Sequence, residues 1–242
     1  MPTPSSALPS PEFERPLVSV DLAIFSVYDD RLVVLLVRRP TGEREPYPGK
    51  WALPGGYIDV RRDRSLVDCA RRKLLEKTAV SAPYLEQLGS WGDAERDPRG
   101  WSATHVYFAL LAWQQLHADG SKQGSSESAW MPADDAVRKR LAFNHAEILG
   151  AALERLRGKV EYTSLPAYLL AEPFTLPELQ HVYEVVLARP LDKSAFRKRM
   201  LDGSFLAEQG RIDGAFGRSA MGYRIRDRER AAVFPRTFRF GE

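Results

Sequence analysis

Leu17 to Tyr28 and Arg31 to Arg39 are long runs rich in Val, Ile, Leu and Phe, and only Asp29-Asp30 separates them. Two such runs parted by a pair of turn-forming residues predict two strands joined by a tight turn. A loop containing Pro40, Gly42, Pro46, Pro48 and Gly49 follows. Leu66, Ala70 and Leu74 then recur at i, i+4 and i+8 with Val67 beside them, so Leu66 to Lys77 is expected to be an amphipathic helix with one apolar stripe. Tyr84 to Trp91 and Ala103 to Trp113 read as further strands around a loop holding Asp97-Pro98-Arg99-Gly100. Ser121 to Ser128 is expected as an exposed loop. Asp134 to Arg157 has a helical pattern, broken near Phe143, with Gly158 as its stop and a domain boundary directly behind it.

The patterning then shifts to short helices. Leu165 to Leu170 is the first, and Leu176 to Leu187 follows behind Thr175 with Glu178 three residues on, the signature of a capping box. Arg189-Pro190 ends that helix. Asp192 is placed to cap a third, running to about Leu201 and closed by Gly203. Phe205 to Glu208 and Met221 to Arg226 read as strands flanking a turn with Gly210, Gly214 and Gly217. Three helices and then a β-hairpin is the order of a winged helix-turn-helix. The expected class is therefore α+β in three parts. Residues 1–16, rich in Pro and Ser, form a flexible tail; residues 17–158 form a sandwich domain; and residues 159–242 form a winged helix domain.

Composition narrows the setting. Of 242 residues, 44% are hydrophobic and 28% charged, enough to bury an ordinary core. The single cysteine, Cys69, cannot form an internal disulfide and is expected as a buried thiol rather than a nucleophile. The first sixteen residues lack a basic start and an apolar run, so no secretory signal is expected and a reducing cytoplasm fits. The longest aliphatic stretch, Leu32 to Val37, falls far short of the ~20 residues of a membrane span, so no membrane association is expected. The net charge of +3 is unevenly placed: Leu191 to Phe240 carries 12 basic against 6 acidic residues. That concentration invites a phosphate-rich partner. His105, His117, His145 and His181 show no metal-ligand spacing, and His105 and His145 are expected to pack or hydrogen bond.

The run Leu53-Pro54-Gly55-Gly56-Tyr57-Ile58-Asp59, then Ser65-Leu66 and Ala70 to Val80, resembles the Nudix box, in which a loop-helix-loop binds Mg²⁺ or Mn²⁺ for attack on a nucleoside diphosphate bond. The resemblance covers roughly Leu17 to Gly158 and implies an α/β/α sandwich. Aligned from Arg72, the three helix carboxylates of that pattern fall on Lys73, Glu76 and Lys77, the earlier Glu on Arg64 and the closing Gly on Ala79, and the Gly56 to Arg72 spacing is two residues longer. Positions i, i+3 and i+4 share a helix face, so a set of charge −3 has become +1. An ammonium about 6 Å from a divalent ion opposes it by roughly 5 kcal/mol at an effective dielectric near 20. No bound metal, no catalytic residue and no efficient hydrolysis are expected. A ligand pocket is expected to survive, formed by Arg38, Arg39, Trp51, Gly55, Gly56, Arg71, Arg72 and Glu76, an aromatic face with guanidinium forks suited to a pyrophosphate.

On the third helix of the C-terminal part, Phe196 and Met200 share one side while Ser194, Arg197 and Lys198 project broadly opposite. The expected DNA contacts are Lys193, Ser194, Arg197, Lys198 and Arg199 on that helix, with Arg211, Arg218 and Arg224 on the hairpin. A degenerate Nudix part followed by a winged helix is similar to the Nudix-related transcriptional regulators of NAD metabolism, the NrtR type. The stretches that carry this likeness are Arg96-Asp97-Pro98-Arg99-Gly100-Trp101, Phe143-Asn144-His145-Ala146-Glu147-Ile148, Arg189-Pro190-Leu191-Asp192-Lys193 and Phe196-Arg197. The resemblance implies a homodimeric repressor on palindromic double-stranded operator DNA, with ADP-ribose or a related nucleotide as effector. Two other readings stand beside it: an active hydrolase drawing its acids from Asp59, Glu76 and Glu147, and a basic tail used for protein contacts or dimerisation.

Overall fold

Asp29 and Asp30 both adopt positive φ, 49° and 55°. That is the turn geometry whose twist matches a two-residue hairpin, and it joins β1 (Leu17–Tyr28) to β2 (Arg31–Arg38) with Tyr28 opposite Arg31. This computed structural model describes residues 15–82, 84–116, 128–214, 219–235 and 237–238. Residues 1–14 of the expected tail, most of the expected loop at Ser121 to Ser128, and Arg218 lie outside the described residues.

β1 is the spine of a mixed sheet. It pairs in parallel with β6 (Ser102–Leu110), which pairs antiparallel with β5 (Tyr84–Asp93). β3 (Trp51–Ala52) and β7 (Ser128–Pro132) lie on β2, and β4 (Gly55–Tyr57) lies on β1. Alternate residues of β1 serve opposite faces, as a strand period of two requires. Val20, Leu22 and Ile24 pack with Cys69, Ala70 and Leu74 of α1 (Leu66–Thr78). Ala23 and Phe25 belong to the other core, with Ile148, Leu149 and Ala152 of α4 (His145–Val160). The sheet is therefore covered on both faces, the sandwich that the box resemblance implies.

Several elements differ from expectation. The strand expected to reach Trp113 ends at Leu110, and Trp113 opens the short α2 (Trp113–Leu116), stacked on Tyr28 at 4.2 Å. Ser128, expected in a loop, begins β7. The helical region behind it is two helices, α3 (Ala133–Val137) and α4, and the break falls at Phe143, whose φ is 53°. Gly158 does not stop α4. A mid-helix glycine costs about 1 kcal/mol, and burial of Leu156 and Val160 on either side holds the helix through it to Val160.

The C-terminal part follows its local signals closely. A 3-10 turn spans Leu165–Leu169, and β8 (Phe174–Thr175) leads into α5 (Leu176–Leu187). The capping box is complete: the Thr175 hydroxyl accepts from Glu178 N, and Glu178 accepts from Thr175 N at 2.6 Å. Asp192 caps α6 (Lys193–Asp202) by accepting from Ala195 N at 2.7 Å. β9 (Leu206–Asp213) and β10 (Ser219–Ile225) form the hairpin, with β8 added to β10. The arrangement is a winged helix. No helix among the described residues is long and apolar enough to cross a membrane.

Candidate ligand cleft and nucleic-acid interface

The Gly55-Gly56 turn lies where β4 crosses the start of β1. A Cβ on Gly55 would stand 2.1 Å from Asp21 Oδ1 and 2.5 Å from the Val20 carbonyl oxygen, so only glycine permits this approach. Gly56 has φ 152°, and a Cβ there would meet the Lys73 side chain at 3.1 Å. The turn thus sits directly over the helix position where the box normally carries an acid. At the far end of α1, Ala79 takes the left-handed conformation, φ 56°, donating its N–H to the Leu75 carbonyl. That conformation is the one for which glycine is usually chosen, and it matches the alignment of the box's closing Gly with Ala79.

A cleft of about 610 Å³ opens between this turn, α1 and the start of α4. Arg38, Arg39, Gly55, Gly56, Lys73, Glu76 and Lys77 all line it. Its floor is a buried polar cluster: Asp21 Oδ2 receives Arg96 Nη2 at 3.0 Å and the Thr104 hydroxyl at 2.7 Å. Burial opposes the charge on Asp21. The Nε2 edge of His145 at 3.4 Å, the Thr104 hydroxyl and the Arg96 guanidinium outweigh it and hold the carboxyl below its usual range. His145 Nδ1 accepts from Leu53 N at 2.9 Å, which leaves Nε2 as the nitrogen on the side of Asp21. His145 therefore does hydrogen bond within the core, as expected, and it ties the start of α4 to the cleft floor.

Phe143 completes the wall. Arg39 and Arg96 place their guanidinium carbons 5.2 and 5.3 Å from its ring centroid. A phenylalanine held at positive φ in a cleft is local strain retained where the surroundings over-determine it. Arg96 also donates through Nε to Asn144 Oδ1 at 3.0 Å, taking the side chain that would otherwise cap α4.

Of the expected pocket residues, Arg38, Arg39, Gly55, Gly56 and Glu76 are brought together, while Trp51, Arg71 and Arg72 lie outside the cleft lining. Trp51 packs against the core and carries Arg38 over its ring at 5.5 Å. Arg71 is exposed. Arg72 is taken up by acids of the protein: Nε and Nη2 grip Asp63 at 2.7 and 2.5 Å and Nη1 holds Glu76 at 3.0 Å. The arginine that looked like a pyrophosphate fork is already a fork for a carboxylate. Its hydrogen bonds push Asp63 well below the ordinary carboxylate range. Arg64, aligned with the earlier Glu of the box, is exposed, and Asp63 one residue before it meets Arg72 instead. Asp21, Asp63, Arg96 and Phe143 were not expected as site residues, although the runs beginning at Arg96 and Phe143 carry the family likeness.

The box resemblance implies a divalent ion, and the donors present do not fit one. Glu76 is the acid left among the three helix positions, and Lys73 Nζ at 3.3 Å shares it with Arg72. Partial burial pushes Glu76 up, yet these two cations outweigh it and lower its pKa. Asp59 and Glu147 do not line the cleft; Glu147 accepts from Trp91 Nε1 at 2.9 Å and Asp59 from Arg61 N at 3.0 Å. Cys69 is buried, and desolvation pushes its thiol up to about 11, so it is inert.

The second surface is α6. Phe196 and Met200 are fully buried, with the Phe196 ring 5.1 Å from Tyr183 of α5. Lys193, Ser194, Arg197 and Lys198 are exposed and have no ion-pair or side-chain hydrogen-bond partner among the described residues. Arg199 differs from the other expected contacts. It turns inward, 4.0 Å from the Phe238 centroid, and donates to the Glu161 carbonyl at 3.3 Å. Desolvation lowers its pKa, and it serves the packing of α6 on the end of α4. Arg211 and Arg224 are exposed on the hairpin, Arg211 bonding Ser219 across it.

α4 joins the two surfaces. Its first residue is in the cleft floor, and the other end of this sixteen-residue helix, about 24 Å long, meets the winged helix. There Arg157 donates to the Val186 carbonyl at 3.0 Å and Arg189 pairs with Glu161 at 2.8 Å.

A family model described as the NUDIX domain matches residues 18–151, and one described as the NrtR DNA-binding winged helix domain matches residues 166–225. The ADPR responsive transcriptional repressor NtrR of Acinetobacter baylyi is 43% identical over 232 residues, covering 95% of this chain and 90% of that protein. The crystal structure of Shewanella oneidensis NrtR complexed with a 27mer DNA is 40% identical, with a TM-score of 0.80 over 92% of this chain and 99% of the other. The NUDIX domain of that protein complexed with ADP ribose is 42% identical, with a TM-score of 0.51 over 60% of this chain and 90% of the other. With both parts matched in order and nearly the whole length covered, this chain belongs to the NrtR family, in which a Nudix domain is joined to a DNA-binding winged helix domain.

Proposed function

We propose that this protein is a cytoplasmic transcriptional repressor of NAD cofactor metabolism genes that leaves its operator when ADP-ribose, or a closely related nucleotide, enters the Nudix cleft. The observation that carries this reading is α4, a single helix with one end built into the cleft floor and the other packed against the helix that presents Lys193, Arg197 and Lys198. Its relatives support the chemistry at each end, one being ADPR responsive and one solved with DNA. Residues 17–158 act as the sensing part and 159–242 as the DNA-binding part. The protein works as a homodimer, whose two-fold symmetry matches a palindromic site. It is not an enzyme, because the one acid left among the three helix positions is held by neighbouring cations and, among the described residues, no set of carboxylates converges to activate water.

Release requires that nucleotide bind the DNA-free arrangement better than the DNA-bound one. A tenfold loss of operator affinity corresponds to about 1.4 kcal/mol of differential binding. A mobility-shift titration on the DNA upstream of the protein's own gene tests the whole reading. Retarded DNA that is freed by micromolar ADP-ribose supports it. Retardation indifferent to ADP-ribose removes the sensor. Rapid ADP-ribose turnover with Mg²⁺ or Mn²⁺, abolished by Glu76→Gln, replaces it with a hydrolase.

A further inference from the structure

We infer that the cleft binds the pyrophosphate of its ligand without a divalent ion, the ammonium groups of Lys73 and Lys77 standing where the box would hold its metal. The inference rests on the nucleotide-sensing reading and adds how the phosphates are held.

Charge pairing around the cleft carries it. Four of its acids are each matched by a cation: Asp21 by Arg96 at 3.0 Å, Glu45 by Arg39 at 2.7 Å, Asp97 by Arg99 at 2.7 Å and Glu76 by Lys73 at 3.3 Å. Two lining cations remain without an acidic partner among the described residues, Arg38 and Lys77. Arg38 is oriented by its bond to the Gly49 carbonyl at 3.2 Å and by the Trp51 ring beneath it. Lys77 follows Lys73 by one helical turn, so the two share a face of α1. The diphosphate bridge of a dinucleotide-like ligand carries two negative charges, which is the uncompensated positive charge the cleft presents.

Position agrees with charge. The end of the Lys73 side chain lies against Gly56, near enough that a Cβ would touch it at 3.1 Å, so its ammonium is fixed beneath the glycine turn. The side chain is 18% exposed, and the Glu76 carboxylate holds it from the next turn. A phosphate entering under that turn meets an ordered cation and does not need to recruit one. Lys73 sets the place, and Lys77 and Arg38 supply the balance of charge.

Calorimetric titration of the full chain with ADP-ribose, first in excess EDTA and then in excess Mg²⁺, tests this. The expected result is the same affinity, within about twofold, in both buffers. Lys73→Gln and Lys77→Gln are each expected to weaken binding in EDTA by roughly tenfold or more, the scale of a lost charge-assisted contact. Thermal melting of each variant verifies that it is folded. The double change Lys73→Glu with Lys77→Glu is expected to abolish binding in EDTA and to regain part of it with Mg²⁺. Binding by the unaltered protein that disappears in EDTA and returns with Mg²⁺ overturns the inference alone, as does full affinity in both folded glutamine variants. Absence of ADP-ribose binding in both buffers overturns the nucleotide-sensing reading and this inference with it.

Discussion

α1 and α6 are both short, basic helices, and they dispose of their charge in opposite ways. On α1, Arg72 and Lys73 share the Glu76 carboxylate and Arg72 also grips Asp63, so two of its four cations are tied to acids of the protein, and Lys77 lines the cleft. On α6, Lys193, Arg197 and Lys198 are exposed without partners among the described residues, while Arg199 turns inward. Basic density alone therefore does not mark a nucleic-acid face. What marks it is whether the neighbouring elements supply acids, and those around α6 offer its outer face none among the described residues.

The largest effect concerns what holds α6 in place. Phe196→Ala removes a fully buried ring from its contact with Tyr183 and is expected to cost about 3–5 kcal/mol. Urea denaturation measures it; a loss below about 1 kcal/mol would mean that α6 is not anchored as described. Next, Arg197→Ala combined with Lys198→Ala is expected to weaken duplex binding by about 1–3 kcal/mol and to make the log–log salt slope shallower by about 2. Melting temperature and ADP-ribose affinity should not move. Arg71→Ala on α1 should leave the same DNA titration untouched, and an equal drop there would erase the distinction between the helices.

Smaller still is the support for α5, on which α6 rests: Thr175→Ala should cost about 1 kcal/mol through the lost cap. The last effect belongs to α1 and is read from acid unfolding. Asp63 is held below its ordinary value by Arg72, so its contribution is present above the unfolded carboxylate range and is lost as pH falls through the folded one. Arg72→Gln returns Asp63 towards its ordinary value and should move the onset of acid unfolding to higher pH. Coincident acid transitions for the two proteins, followed by circular dichroism, would show that the pair does not contribute.

The β1–β2 hairpin, α1, α5 and α6 were legible because their signals are local. A turn dipeptide, an apolar stripe, a capping box and an Asp N-cap each act within a few residues. β7 and β8 were not, since five- and two-residue strands carry too little pattern and exist through their partners β2 and β10. The end of α4 was misplaced for a related reason: Gly158 is a weak local break, and buried neighbours overruled it. Half of the cleft followed the same divide. Gly55 and Gly56 were legible as a turn, but whether Arg72 faces the cleft or Asp63 depends on a loop whose length differs from the standard box.

The order of residues along the chain determined the two parts, their local elements and the replacement of acids by Lys73 and Lys77, because helix periodicity alone puts those positions on one face. Tertiary structure decided which charges remain available. Asp21 meets Arg96 across 75 residues and Leu53 meets His145 across 92, contacts that no local pattern encodes. A cation is free to hold a phosphate only after folding has settled which acids lie beside it, and that is a property of proximity in space.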